Sequence, residues 1–174
     1  MLEHGAAIVL LLFALVLGTA FGAGLFEARI EFPRWLARTA AGPRWDAEAA
    51  RRSDTGRRFW AYVTTGPLTL LTAISLFVAG RRRDAVSHWW LAAAVVVAAE
   101  RLFTFTFFIP TMVRLQSATD PTALHVVATA RRWGHLNRVR LLMVLGAWLL
   151  ALRALSLTGR RCAALWMPRG RRRR

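Results

Sequence analysis

The chain reads as all-α, a transmembrane four-helix bundle with both termini on the same side of the membrane. Three observations predict this. Hydrophobic residues make up 56% of the 174 residues, yet 25 basic residues against 9 acidic give a formal charge of +16. A soluble domain of that charge does not also carry long apolar blocks almost free of charge. Four such blocks are present, each near the roughly 20 helical residues that cross about 30 Å of hydrocarbon. The remaining charges concentrate in the connections and in an Arg-rich terminus.

The spans are expected at about residues 6–31, 59–79, 87–109 and 135–158, followed by a basic tail at 160–174. The stretches His4 to Phe26 and Phe59 to Gly80 hold no Asp, Glu, Lys or Arg. The third apolar block, about His88 to Ile109, contains Glu100 and Arg101, and the fourth, about Leu141 to Leu157, only Arg153. Phe103 to Phe107 alternates aromatic and Thr residues like a strand, but in lipid an open strand leaves backbone groups unpaired and a helix does not. The first block is expected to remain as a span and not to be cleaved as a signal peptide. Its opening residues carry Glu3 and no Arg, and its apolar run exceeds a signal's usual length.

Punctuation sets the connections. Gly80, Arg81 to Arg83 and Asp84 make a tight turn, so the second and third helices pack antiparallel. Pro33 and Pro43 are expected to end the first helix and open a polar segment, and Pro110 and Pro121 to bracket the last connection. A short interfacial helix is possible within Arg44 to Ser53. Trp35, Trp60, Trp89, Trp90, Trp133 and Trp166 fall near expected helix ends, where indoles favour the headgroup layer.

The basic residues are all Arg, which points first to codon bias. Arg density favours cytoplasmic termini in a multi-pass protein of the inner (plasma) membrane, although the longer loops opposite hold more Arg in total. The tail is expected to attract anionic lipid. No nucleic-acid-binding fold accompanies the charge, so nucleic acid is not an expected partner. Cys162 is the only cysteine, which excludes an internal disulfide and a cysteine-cluster metal site.

Three groups of residues exceed what crossing a membrane requires. Glu100 and Arg101 fall about 18 Å along the third helix, near the bilayer middle, and must face the bundle interior. They are either a buried polar site or a pair that serves packing specificity. On the first helix, Gly18 with Gly22 and Ala20 with Gly24 form small-residue faces for close helix approach. Glu27 and Glu31, four residues apart, are set to receive an Arg from another helix. Before the fourth span, Trp133, Asn137 and Arg140 recur at i, i+4 and i+7, putting an indole, an amide and a guanidinium on one face, with His135 nearby. That face suits a polar aromatic ligand or a contact with Glu27 and Glu31. The four histidines divide between the two membrane sides. Neither a zinc signature nor the paired Glu-x-x-His of carboxylate-bridged bundles occurs, so no metal is expected.

The run Phe-Glu-Ala-Arg-Ile-Glu-Phe-Pro-Arg-Trp at Phe26 to Trp35, Phe-Phe-Ile-Pro closing the third helix, and Arg-Trp-Gly-His-Leu-Asn-Arg-Val-Arg at Arg132 to Arg140 resemble the DUF1772, anthrone-oxygenase-like membrane proteins. The likeness runs roughly from Gly18 to Leu157. It implies a four-helix membrane bundle and, for some members, oxidation of an anthrone methylene to a ketone with oxygen. Were that chemistry present, residue types would cast Glu27 or Glu31 as base, Arg140 and Asn137 as stabilisers of the anion, and Trp133 as a stacking surface. Spacing alone singles out no catalytic constellation. The expected function is therefore binding of a lipid or apolar small molecule in a polar cluster near the extracytoplasmic end. That cluster draws on Trp133, His135, Asn137, Arg140, Glu100 and Arg101. The alternative is a cofactor-independent oxygenase of an anthrone-like aromatic.

Overall fold

The computed structural model describes residues 2–40, 42–53 and 55–166, with side chains described over 4–40, 42–53 and 59–159. The expectations placed on the Arg-rich tail, including Cys162 and Trp166, lie outside the described side chains. Four helical stretches are long and apolar enough to cross a membrane: His4–Trp35, Phe59–Gly80, Ala85–Gln116 and Leu124–Gly159. This is a multi-pass membrane protein.

The first span comprises α1 (Leu2–Phe26), a π-helical turn at Glu27–Glu31 and α2 (Phe32–Trp35). A two-stranded antiparallel hairpin follows, β1 (Leu36–Thr39) and β2 (Gly42–Trp45), and then α3 (Ala47–Arg52). The second span is a π-helical stretch, Thr55–Thr65, continued by α4 (Gly66–Gly80). The third is α5 (Ala85–Phe103), a π-helical turn at Thr104–Phe108 and α6 (Ile109–Gln116); the fourth lies in the long α7 (Leu124–Trp166). α1 packs on α4 and α7, and α5 packs on the same two, which closes a ring of four. Ile8, Leu15, Leu70, Leu102, Leu142 and Leu149 point outward where acyl chains would lie.

Three spans share one device. A π-helical segment precedes a helix with proline in its first two positions: Pro33 in α2, Pro67 in α4 and Pro110 in α6. Proline has no N–H to donate and crowds the carbonyl four residues back, so an ordinary turn there would break. A wider turn accommodates it, and in lipid the helix continues because ending it would strand backbone groups. This corrects the expectation that Pro33 and Pro110 end their helices: the first span runs to Trp35 and the third to Gln116.

Other boundaries follow expectation more closely. Asp84 caps α5 in a reciprocal box: Ser87 N–H donates to its Oδ1 at 2.7 Å, and its own N–H donates to Ser87 Oγ at 3.0 Å. The tight turn this creates sets α4 and α5 antiparallel. α3 falls inside the segment read as a possible interfacial helix, with Asp46 accepting from Ala49 N–H at 2.8 Å. The fourth helix starts at Leu124, earlier than the expected 135, because Asp120 gathers the turn before it. Its Oδ1 accepts from the Thr122 N–H and hydroxyl at 2.8 Å each and from Ala123 N–H at 3.2 Å. The Thr122 backbone N–H is the chief reason that this carboxyl lies below its usual range.

The hairpin was not expected. Gly42, at φ +116°, takes a conformation that favours glycine, and β2 is then pinned onto the loop between the third and fourth spans. Trp45 N–H donates to Pro121 O at 2.9 Å and its indole Nε1 to Leu115 O at 2.8 Å. The result is a cap whose apolar centre joins Trp35, Trp45, Ala50, Phe108, Leu115, Val126, Ala130 and Trp133. The headgroup-layer reading therefore fails for Trp35, Trp90 and Trp133, all at most 3% exposed. Trp35 and Trp133 are buried by the cap, and Trp90 lies in the larger core between the spans.

The glycine faces divide as well. At Gly24 an added Cβ would lie 2.6 Å from Leu141 Cδ2, and at Gly18 3.1 Å from the Trp148 ring, so both admit a neighbouring side chain. Gly22 has nothing within 4 Å and is exposed. The close-packing role belongs to Ala20 with Gly24, and to Gly18, but not to Gly22.

Candidate functional site

Two apolar clusters, one between the spans and one in the cap, are separated by a layer of polar side chains contributed by all four spans. Glu27 comes from the first, Trp60 from the second, Glu100, Arg101 and Thr104 from the third, and Asn137 and Arg140 from the fourth. Each π-helical segment lies at this level. Glu27 opens the first of these turns and is its buried residue, and the wide turn shifts the register of the side chains that follow it.

Glu27 is the centre of one half. Its Oε2 accepts from the Trp60 indole Nε1 at 2.8 Å, and its Oε1 lies 3.8 Å from Arg140 Nη2. That second oxygen is buried and accepts no hydrogen bond. The Arg140 guanidinium lies 4.8 Å from the Phe108 ring centroid and 5.5 Å from that of Trp60, so aromatic faces supply much of its surroundings. Asn137 is 1% exposed, and its Oδ1 is also without a hydrogen-bond donor. Most buried polar atoms in folded proteins are satisfied, so two unmet acceptors in one layer are informative.

The other half is closed on itself. Arg101 donates to Glu100 through Nε at 2.6 Å and Nη2 at 2.8 Å, and Thr104 Oγ1 donates to Glu100 Oε1 at 2.9 Å. Both charges are buried, at 1% and 8% exposure.

The sequence-derived residues thus separate. Glu27, Asn137 and Arg140 come together, with Glu100 and Arg101 beside them. Trp133 lies one turn toward the cap, stacked on Phe32 at 5.5 Å and donating to Phe108 O at 3.3 Å. Glu31 instead holds the cap: it accepts from Arg34 at 3.1 Å and from Ser53 Oγ at 2.9 Å, and Ser53 in turn accepts from the Trp35 indole. His135 is exposed. Two residues beyond Trp133 is about 200° around a helix, so it falls opposite the polar face. The sequence does not single out Trp60 or Thr104 as site residues. Trp60 sits near a helix end, where an indole ordinarily signals the interface, and only the register of the first two spans shows its carboxylate partner.

Among the described residues, no group of three His, Cys, Asp or Glu side chains converges as a metal site. Two clefts, of about 480 and 470 Å³, open on the cap, and neither is lined by the polar layer.

A ring of four spans enclosing a layer of charged and polar side chains defines an integral membrane protein of the four-helix kind. The chain belongs to the anthrone oxygenase family, which it matches over residues 57–150. The matched segment carries Trp60, Glu100, Arg101, Asn137 and Arg140, whereas Glu27 precedes it. Comparison with curated proteins and with solved structures gives no match.

Proposed function

We propose that the polar layer binds a hydroxylated, enolisable aromatic molecule delivered from the bilayer and oxygenates it with dioxygen. The observation that carries this reading is the pair of buried acceptors without donors, Glu27 Oε1 and Asn137 Oδ1, beside a guanidinium with aromatic neighbours. Leaving such groups unmet is costly, and a ligand that brings hydroxyl or acidic C–H groups meets them. Family membership supplies the reaction class.

In this mechanism Glu27 Oε1 takes a proton from the substrate's activated methylene. Arg140 holds the resulting enolate oxygen, and Trp60 keeps the carboxylate aimed by occupying its other oxygen. The carbanion gives four electrons to dioxygen in all. One oxygen atom becomes the new carbonyl, and the other leaves as water with the two methylene protons. Glu100 and Arg101, satisfied by each other, form a wall of the layer, and Phe108 and Trp60 flank Arg140. Because the layer is enclosed, entry requires the spans to part, and the π-helical turns at its level are the segments placed to yield.

The test is oxygen uptake by the full chain in proteoliposomes with 1,8-dihydroxyanthrone as probe. Wild type is expected to form one quinone per dioxygen above the uncatalysed rate. Glu27→Gln is expected to lose about 100-fold or more of that excess, the usual scale for a general base. Equal turnover removes Glu27 from the mechanism.

A second reading rests on the self-contained Glu100 and Arg101 pair: the layer binds a lipid or apolar molecule without transforming it. Probe binding without oxygen uptake supports that reading. We further place the protein in the plasma membrane with cytoplasmic termini and the cap outside. A membrane-impermeant maleimide should then leave Cys162 unmodified in intact cells, and labelling reverses the orientation.

A further inference from the structure

The smaller cap cleft, about 470 Å³, lies between the hairpin and the first two turns of α7. Arg44 on β2 and Arg131 on α7 both line it, and no carboxylate does. Among the described residues neither Arg has an ion-pair partner within 4 Å. Two like charges from separate elements, converging on one cleft without a counter-charge, fit an anion that accepts from both. The hydroxyls in the cleft are already committed: Thr39 Oγ1 donates to Gly42 O at 2.8 Å and Thr122 Oγ1 to Asp120 Oδ1. The arginines are therefore the available side-chain donors.

The surroundings identify the kind of anion. The cleft stands at the start of the fourth helical stretch able to cross a membrane, Leu124–Gly159, the end of a span at which headgroups are to be expected. Leu124, on its rim, is 85% exposed, and buried Val127 lies on the same lining. An exposed leucine beside paired guanidiniums matches an amphiphile, with a phosphodiester for the arginines and a glycerol and acyl portion for the leucine. We propose that this cleft is a binding site for the headgroup of an anionic phospholipid. It lies at the start of α7, and none of its lining residues belongs to the polar layer.

The test uses the full chain in phosphatidylcholine nanodiscs, titrated with phosphatidylglycerol and read by native mass spectrometry. Arg171 to Arg174 are first replaced by Gln so that the tail does not dominate. Each guanidinium near the surface contributes about fivefold to affinity. Arg44→Gln with Arg131→Gln is therefore expected to weaken phosphatidylglycerol binding about thirtyfold. Arg44→Lys with Arg131→Lys retains the charge and should stay within about fivefold of the parent. Both arginines are exposed and, among the described residues, outside any ion pair, so the unfolding midpoint in pure phosphatidylcholine should not move in either variant. Unchanged binding in the Gln pair, or equal loss in the Gln and Lys pairs, overturns the site. Competition by millimolar glycerol phosphate overturns the lipid as its ligand, since a free phosphate would then suffice.

Discussion

Arg140→Leu is expected to destabilise the protein by about 3–5 kcal/mol, the range for removing one partner of a buried ion pair. The substitution leaves Glu27 at 10% side-chain exposure with no cation beside it, its hydrogen bond from Trp60 unchanged. It also removes the cation held near Phe108 and Trp60. Glu27→Gln in the same background should recover a large part of the loss, because the amide carries no charge for Arg140 to balance. The comparison is made by reversible unfolding in mixed micelles. Additive effects would mean that the 3.8 Å approach of the two groups carries no energy. Arg153→Leu serves as the reference, since Arg153 is exposed and has no ion pair among the described residues. It should cost little or nothing.

Gly134→Val should be comparably damaging for a steric reason. A Cβ at Gly134 would lie 2.5 Å from Phe32 Cε1 and Cζ, and the ring cannot easily retreat. Phe32 is stacked on Trp133 at 5.5 Å and meets the edge of Trp35 at 6.4 Å. Displacing it disturbs the apolar centre of the cap and, through Trp133, the contact to Phe108 beneath Arg140. Overpacking of this kind costs about 1–3 kcal/mol, more when backbone must follow. Gly22→Ala supplies the opposite sign. Nothing lies within 4 Å of its Cβ position, so the gain in helix propensity should stabilise by up to about 1 kcal/mol. If both substitutions shift the unfolding midpoint alike, the close approach of the first span to the fourth is misplaced.

Much of this architecture is legible in the sequence. Charge-free length identified the first two spans, and the cost of intramembrane charge required Glu100 and Arg101 to face inward. The 3.6-residue period placed Asn137 and Arg140 on one face with Trp133, and four-span topology put that face at the same end as Glu27. The failures have physical causes. Prolines read as helix ends because in water they are; in lipid the chain widens a turn and continues. The hairpin is two four-residue strands, one containing Pro43, and has no alternation to betray it. Its strongest local cue is Gly42. Glu31 was grouped with Glu27 by spacing alone, but the π-helical turn between them leaves one carboxylate in the polar layer and the other on Ser53. His135 is near this triplet in sequence, which on a helix is no guide to facing.

The layer's assignment as a ligand site is tested most directly by anaerobic titration with 1,8-dihydroxyanthrone, which separates binding from turnover. Tryptophan fluorescence is the readout, since Trp60 donates to Glu27 and Trp133 lies one turn from Asn137. Wild type should show saturable quenching. Asn137→Leu, which removes one of the two unmet acceptors, should weaken it by about tenfold or more, the cost of losing a hydrogen bond to a buried group. Saturable quenching of equal affinity in wild type, Asn137→Leu and Glu27→Gln would contradict the account, because the ligand would then be bound outside the polar layer.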